Sequence, residues 1–232
     1  MKFNLPYKHS WPQFLENETL FSNAIRLRYL IWTIQHYLPT GSRLLEVGFG
    51  SGTTVVLLAD LGYKVTAVDI DDVLVQRLRD RYTEWIRTGR LEVRQADMLA
   101  LPWQERNFDL AYHQGVLEHF PDEQIVQALR EQAHVAEWVI FDVPNHRCSD
   151  RPFGDERLLS PSHWRRLINQ AGLEVVDERG RDFHRWLYVL PFAFFSHQAL
   201  KKWPWFGRWL GTDSIFVCRS REDDGMPREV RV

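Results

Sequence analysis

Three glycines at alternate positions, Gly48, Gly50 and Gly52, are the residues best suited to ligand chemistry. They follow a short apolar run, residues 44–47, that predicts a buried strand, and they precede an apolar stretch that predicts the first turns of a helix. Glycine permits positive φ angles and lets a ligand approach the backbone closely. The free N–H groups at the helix start can then face polar groups of that ligand. The pattern predicts a binding loop; a glycine-rich turn that holds no ligand is the alternative.

Two acidic residues lie where a ligand on this loop would meet them. Glu46 precedes the first glycine by two positions, and a carboxylate there suits a cationic ligand better than a pyrophosphate. Asp69 ends a second predicted strand, residues 64–69, where a carboxylate can accept hydrogen bonds from both ribose hydroxyls of an adenosine group. Nicotinamide-dependent enzymes use the same geometry, so Asp69 indicates adenosine without choosing the cofactor. The alternative for Asp69 is a helix N-cap, because the acidic pair 71–72 opens the next predicted helix.

The glycine spacing differs from the dinucleotide-binding fingerprint, Gly-x-Gly-x-x-Gly, because Thr53 stands where the last glycine would fall. The stretch 43–54 instead resembles motif I of the class I S-adenosylmethionine-dependent methyltransferases, and the phrase 108–122 resembles small-molecule members of that superfamily, of the "methyltransferase type 11" kind. Enzymes that methylate amino groups of DNA or of protein glutamine carry Asn/Asp-Pro-Pro-Tyr/Phe after the fourth strand. Residues 113–116 are His-Gln-Gly-Val here, which argues against those substrates.

The resemblance also implies which residues contact the cofactor. In the family, an acid after the third strand accepts a hydrogen bond from the adenine amino group, and its apolar neighbour covers the ring. Asp97 and Met98 occupy these positions; a polar loop residue beside a core methionine is the alternative. The implied cofactor is S-adenosyl-L-methionine, and its implied contacts are Glu46, Gly48, Gly50, Gly52, Asp69, Ile70, Asp97, Met98, His113 and Gln114.

An alcohol or phenol acceptor must lose its proton during methyl transfer, and histidine is suited to take it near neutral pH. His113, at the exit of the fourth predicted strand, and His146, beyond the fifth, are the candidate catalytic residues; a structural role is the alternative for each. Catechol-type enzymes of the family use a divalent metal instead. Asp142 and Asn145 would supply two oxygen ligands, but His113 stands where an acid is needed, so we expect no metal.

The elements that must position these residues predict an α/β fold. We expect a Rossmann-like, seven-stranded, mostly parallel sheet with helices on both faces and an aromatic-rich insertion before the last strand. The predicted strands are 44–47, 64–69, 90–95, 107–113, 137–145, 173–176 and 212–218, and the predicted helices are 17–38, 53–61, 73–86, one from 121, and 160–171. We expect a leading segment and helix over 1–40, a methyltransferase domain over 41–220 with the insertion at 181–211, and a flexible tail over 221–232.

Composition narrows the function classes. The chain has 232 residues and a formal net charge of −2, so no global basic field recruits nucleic acid. Its two cysteines, Cys148 and Cys218, lack the spacing of a metal knuckle and predict reduced thiols. The first residues lack the apolar centre of a signal peptide, and no apolar run is long enough to span a bilayer. We therefore expect a cytoplasmic protein.

The stretch 183–209 is dense in aromatic residues and also carries Arg185, Lys201, Lys202 and Arg208. Three interpretations stay open: a lid over a pocket for a bulky apolar substrate, a segment at a membrane surface, or packing against the sheet or a partner subunit. The ten aromatic residues are Phe183, Trp186, Tyr188, Phe192, Phe194, Phe195, Trp203, Trp205, Phe206 and Trp209.

Two functions compete at this point. The first is methyl transfer from S-adenosylmethionine to oxygen or nitrogen of a small molecule, one that is apolar or lipid-linked. The second is a catalytically inactive S-adenosylmethionine-binding protein that acts through its aromatic surface. A nicotinamide dehydrogenase is a third, disfavoured by Thr53 and Glu46. We expect a small-molecule substrate and no nucleic-acid partner, while peripheral membrane contact and a homodimer stay open as alternatives.

Overall fold

Seven strands form one sheet in the computed structural model, which describes residues 20–149, 154–181 and 211–221 of the 232. Their order across the sheet is β3-β2-β1-β4-β5-β7-β6; β7 runs antiparallel to β5 and β6, and the other neighbours are parallel. This confirms the predicted α/β fold and its mostly parallel sheet. The strands are β1 (Arg43–Val47), β2 (Lys64–Asp69), β3 (Leu91–Gln95), β4 (Phe108–Gln114), β5 (Ala136–Pro144), β6 (Leu173–Arg181) and β7 (Asp213–Ser220).

Helices cover both faces of the sheet. On one face, Leu27, Val55 and Leu74 from three helices pack with the side chains of β1 and β2; on the other, Ile125 and Trp164 pack against β5 and β7. The sheet is therefore sandwiched between two apolar layers, and only its edges and strand ends are open to a ligand. The described helices are α1 (Leu20–Tyr37), α2 (Thr53–Asp60), α3 (Asp72–Arg81), α4 (Thr83–Arg87), α5 (Asp122–Val135) and α6 (Pro161–Gln170), with a 3₁₀ turn at Leu117–His119.

The predicted helix 73–86 is divided in the structure. The backbone of Tyr82 leaves the helical region, with φ −123° and ψ 39°, so α3 ends and α4 begins there. Tyr82 is buried, and Trp85 meets its ring edge-on with 5.6 Å between centroids. The break thus coincides with an aromatic contact, and neither a glycine nor a proline lies at it.

β6 is longer than the predicted strand 173–176. Its polar second half is stabilised by side chains from other elements: Glu178 accepts a hydrogen bond from Arg165 Nε at 2.8 Å, and Asp177 accepts one from the Tyr37 hydroxyl at 3.0 Å. Because these partners come from α6 and α1, the polar residues extend the strand instead of ending it.

Several predictions fall outside the described residues. The leading segment 1–19, the aromatic-rich stretch 183–209 and the tail 222–232 are among them, so the insertion, the lid and the domain boundaries stay predictions. Cys148 and Cys218 are both free thiols. Within the described ranges, none of the helices has both the length and the apolar character that crossing a bilayer requires.

Candidate functional site

The loop between β1 and α2 carries the three glycines at the carboxyl edge of the parallel strands. Gly48, Gly50 and Gly52 have φ angles of 70°, 51° and 70°, a left-handed conformation that residues with a Cβ rarely adopt. The N–H of Gly48 donates to the carbonyl of Val68 at 2.8 Å, and the N–H of Gly52 donates to that of Phe49 at 2.8 Å. The loop is thus folded on itself and fastened to β2.

Gly50 differs from its neighbours in what surrounds it. A Cβ on Gly48 would lie 2.9 Å from Cγ2 of Val116, and one on Gly52 would lie 2.1 Å from Cδ1 of Leu78. A Cβ on Gly50 would meet no heavy atom of the described residues within 4 Å. Packing therefore requires Gly48 and Gly52, whereas Gly50 faces the open space that a ligand would fill.

Glu46 lies beside this loop and is 3% exposed. Its carboxyl accepts a hydrogen bond from the Tyr112 hydroxyl of the adjacent strand β4 at 2.5 Å. Burial raises the pKa of Glu46 to about 8, although hydrogen bonds from Tyr112 and Thr54 oppose the rise. The carboxyl is mainly protonated at neutral pH, and a cation placed beside it would favour its ionised form. Tyr112 was not predicted as a site residue. Because side chains alternate along a strand, Tyr112 lies on the same face of β4 as Leu110, next to Glu46 of β1.

Asp69 ends β2, as predicted, and faces the glycine loop. Its carboxylate accepts hydrogen bonds from the backbone N–H of Asp71, at 3.0 Å, and from that of Gly50. The N-cap of α3 is Asp71, which accepts from the N–H groups of Val73 and Leu74 at 2.8 and 3.3 Å. Burial raises the pKa of Asp69 to about 6 against its hydrogen bonds. The helix cap and the candidate ribose ligand are therefore different residues.

The end of β3 lies directly beside Asp69. The N–H of Ala96 donates to the Asp69 carbonyl at 3.0 Å, and the side-chain amide of Gln95 donates to the carbonyl of Ile70 at 2.9 Å. These two contacts place Asp97, the next residue of the chain, near the end of β2. The structure thus brings the two predicted adenosine-binding acids to neighbouring strand ends.

Asp97 and Met98 are both half-buried. One carboxylate oxygen of Asp97 accepts a hydrogen bond from the N–H of Leu99 at 2.8 Å, and Met98 packs against apolar clusters beneath the loop. Each residue thus makes a contact within the fold, and each also keeps part of its surface exposed. Their contact with an adenine ring stays a prediction.

His113 lies in the core and not in an open cleft. The side chain is 0% exposed, and its ring stacks on Phe141 with 5.2 Å between centroids and 13° between planes. Neither ring nitrogen has a hydrogen-bond partner in the part of the chain that the structure describes, and burial lowers the pKa of His113 to about 3. His113 is therefore neutral at physiological pH and enclosed by apolar groups.

His146 lies in the loop after β5 and is exposed. Partial burial, then the charge of Arg147, lower the pKa of His146. The preceding Asn145 is buried, and its side-chain amide donates to the carbonyl of Gly211 at 3.0 Å and to the hydroxyl of Ser214 at 3.1 Å. Asn145 therefore fastens this loop to the start of β7, while His146 points away from the core.

The structure reveals a buried ionic cluster that sequence reasoning missed. Arg181 Nε donates to Asp142 Oδ2 at 2.6 Å, and Arg181 Nη2 lies 3.3 Å from Asp213 Oδ1. Glu118, in the 3₁₀ turn after β4, is 3% exposed, and its Oε2 has no hydrogen-bond partner among the described residues. Burial, supported by the charges of Asp142, Asp213 and Glu156, raises the pKa of Glu118 to about 8. An acid between Leu117 and His119, just past a strand exit, was the sequence signal.

The two candidate metal ligands have other partners. Asp142 binds Arg181 and accepts a hydrogen bond from Gln114 Nε2 at 3.2 Å, and Asn145 makes the loop contacts described above. Within the residues that the structure describes, no group of three or more His, Cys, Asp and Glu side chains is arranged to hold a metal ion.

Comparison with known proteins agrees with this geometry. A family model described as "Methyltransferase domain" matches residues 44–137. An O-methyltransferase cnsE of Penicillium expansum is 31% identical over 151 residues, which cover 59% of this chain and 54% of that protein. A ubiquinone biosynthesis O-methyltransferase of Nitrosospira multiformis is 26% identical over 204 residues, covering 79% and 83%. The chain spans about half the length of most of the curated relatives that it matches.

Solved structures share the fold. The magnesium protoporphyrin IX methyltransferase of Synechocystis PCC 6803, with bound S-adenosylhomocysteine, superposes with a TM-score of 0.59 at 14% identity, covering 83% of this chain and 80% of that one. The family match spans β1 to the start of β5, which includes the glycine loop and the ends of β2, β3 and β4. The chain is therefore similar to methyltransferases over the residues that hold the candidate site.

Proposed function

We propose that this chain transfers a methyl group from S-adenosylmethionine to a hydroxyl group of a small, largely apolar molecule. The observation that carries the proposal is the open face of Gly50 between Glu46 and Asp69. A bare backbone edge flanked by two carboxyl groups suits a ligand with both an adenosine and a cationic amino acid group. The two relatives described above are named O-methyltransferases, and one is named for ubiquinone biosynthesis, which supports an oxygen acceptor on an apolar molecule.

The proposed cofactor contacts follow the strand ends. Asp69 accepts the ribose hydroxyls, Glu46 and the loop at Gly50 hold the cationic amino acid end, and Asp97 and Met98 contact the adenine. S-adenosylmethionine supplies a methyl group that its sulfonium makes electrophilic. The protein aligns the acceptor with that methyl group, and alignment alone contributes about 7–11 kcal/mol to such reactions.

The remaining implied contacts are supported unequally. Ile70 follows Asp69 and its carbonyl is held by Gln95, which keeps it beside the adenosine site. Gln114 is half-buried at the end of β4 and donates to Asp142, so its backbone and amide stay near the loop. His113 has the least support, because a fully buried ring stacked on Phe141 offers no atom to a ligand.

Of the two candidate base histidines, the geometry favours His146. It is exposed on a loop at the carboxyl end of β5, whereas His113 is enclosed and its pKa is lowered to about 3 by burial. The test is alanine substitution of each, with methyl transfer as the readout. Unchanged turnover excludes the substituted residue as a base.

Two experiments test the proposed function. Titration calorimetry with S-adenosylhomocysteine and, separately, with NAD should give binding of the first alone. Label transfer from methyl-labelled S-adenosylmethionine to a metabolite extract should then give a labelled small molecule that carries a methyl ether. Binding of NAD in place of S-adenosylhomocysteine would contradict the cofactor assignment.

The alternative function, a catalytically inactive S-adenosylmethionine-binding protein, predicts a different result in the same two experiments. It would bind S-adenosylhomocysteine in the calorimeter and transfer no label to the extract. The aromatic-rich stretch through which it would act, residues 183–209, lies outside the described residues. The label-transfer experiment therefore separates the two functions.

A further inference from the structure

Glu118 is a buried acid that the site described so far does not use. It lies in the 3₁₀ turn Leu117–His119 directly after β4. Val116, two residues before it, packs so closely on the glycine loop that a Cβ on Gly48 would touch its Cγ2. Gly115 has φ 65°, and its N–H donates to the Asp142 carbonyl at 3.0 Å. The turn therefore connects the cofactor loop on one side with the end of β5 on the other.

The Glu118 carboxyl faces charged groups from several elements. Asp142 on β5, Asp213 on β7 and Glu156 in the loop before α6 all act on it electrostatically. The nearby cation, Arg181 at the end of β6, is already bonded to Asp142 and lies 3.3 Å from Asp213. Glu118 thus keeps one oxygen without a hydrogen-bond partner in the described part of the chain, within a cluster of negative charge.

A loop at the carboxyl ends of the strands packs against the turn that carries Glu118. Residues 154–159 pack on the turn, where the N–H of Arg157 donates to the Glu118 carbonyl at 2.8 Å and His119 Nδ1 lies 2.9 Å from Asp155 Oδ1. The loop lies at the carboxyl ends of the parallel strands, where ligands bind in open α/β sheets. Glu118 differs from His113 in its neighbours. Charged residues and a loop lie beside Glu118, whereas the His113 ring stacks on Phe141.

We propose that Glu118, in place of either histidine, is the general base of the methyl transfer, acting on the hydroxyl group of the acceptor; the inference rests on the function proposed above. The acceptor oxygen forms a bond to the methyl carbon while the carbon–sulfur bond breaks and its electron pair passes to sulfur. The acceptor proton moves to Glu118 Oε2, the oxygen without a partner, and leaves the carboxyl neutral. Such a base contributes about 10²- to 10⁴-fold to the rate.

The same cluster sets the pH at which the base works. Burial, with the charges of Asp142, Asp213 and Glu156, raises the pKa of Glu118 to about 8, so the ionised form that accepts a proton increases as pH rises from 7 to 9. Turnover limited by proton removal should therefore increase with pH and level off above about 8.

The test uses Glu118→Gln, which keeps the shape of the side chain. With methyl-labelled S-adenosylmethionine and the metabolite extract, we expect label transfer to fall about 100-fold or more, without the rise at alkaline pH. Binding of S-adenosylhomocysteine by calorimetry should change by less than about twofold, because Glu118 serves the acceptor. Wild-type transfer rates in Glu118→Gln would overturn the inference and leave the proposed function intact.

A matched variant and a spectroscopic titration complete the test. Glu156→Gln removes a neighbouring charge while its amide oxygen can still accept from the N–H of Gly154, so it should retain transfer within about threefold and move the alkaline rise to lower pH. Carbon-13 NMR of glutamate-labelled protein should show a carboxyl that titrates near pH 8 and disappears in Glu118→Gln. If wild-type protein transfers no label, the proposed function fails, and a Glu118 carboxyl that titrates below pH 6 would separately overturn the inference.

Discussion

The open face of Gly50 gives the sharpest prediction, because the fold supplies a matched control. Gly50 and Gly89 have φ angles of 51° and 69°, and a Cβ on either would meet no described heavy atom within 4 Å. Gly50 lies at the carboxyl ends of the strands, while Gly89 precedes the amino end of β3. Alanine at each position therefore imposes the same backbone penalty in two different places.

The magnitudes follow from this geometry. A left-handed backbone costs an alanine about 1–2 kcal/mol, so both variants should melt about 2–8 °C below the wild type. The added methyl group of Gly50→Ala also occupies space that the proposed cofactor fills. Overpacking of that kind costs about 1–3 kcal/mol, which raises the dissociation constant for S-adenosylhomocysteine about 5- to 150-fold.

Thermal melting and titration calorimetry with S-adenosylhomocysteine measure both effects. We expect the two variants to lose similar stability and only Gly50→Ala to lose affinity. Equal dissociation constants for Gly50→Ala, Gly89→Ala and wild type would show that the ligand does not lie over Gly50, and the proposed cofactor site would be wrong.

Three further predictions concern the same loop and its acids. Gly52→Ala should be less stable than Gly50→Ala by about 1–3 kcal/mol in chemical denaturation, because its Cβ would lie 2.1 Å from Leu78 Cδ1; equal midpoints would contradict the packing. In the folded protein Glu46 keeps its proton up to its pKa of about 8, while the unfolded chain loses it near 4.5, so wild-type stability should fall as pH rises between these values. Glu46→Gln should show a smaller fall than wild type in melting curves recorded from about pH 5 to 9, since the raised pKa values of Glu118 and Asp69 still contribute to it; a fall of equal size would refute the assignment. Asp69→Asn should weaken S-adenosylhomocysteine binding about 10-fold in calorimetry, through loss of charged hydrogen bonds to the ribose; wild-type affinity would exclude the ribose role.

The strands of the parallel half were predictable because a strand buried on both faces has a continuous run of apolar residues. Residues 64–69 were predicted as a strand, and β2 is Lys64–Asp69, with four consecutive residues buried inside it. The glycines of the loop were also predictable, since three positive φ angles in five residues leave little choice of residue. The sequence was therefore sufficient where a strand or a turn depends only on its own residues.

The features that sequence missed depend on distant partners. The predicted sixth strand stopped before the polar half of β6, where Arg165 and Tyr37 stabilise Glu178 and Asp177. His113 lay at a predicted strand exit, but the alternation of β4 turns its ring towards Phe141. Glu118 acquires its surroundings from β5, β7 and a loop, none adjacent in the chain, so only the folded topology assembles them.

The contact between Arg181 and Asp213 has a consequence for how the domain can be altered. These residues face each other in the antiparallel register of β6 and β7, and their side chains lie 3.3 Å apart. This contact holds the chain at residues 181 and 213 side by side at one end of the β6–β7 pair. An exchange of residues 182–212 between homologous proteins can therefore use Arg181 and Asp213 as fixed junctions, because their contact keeps the two ends of the exchanged piece at a constant separation.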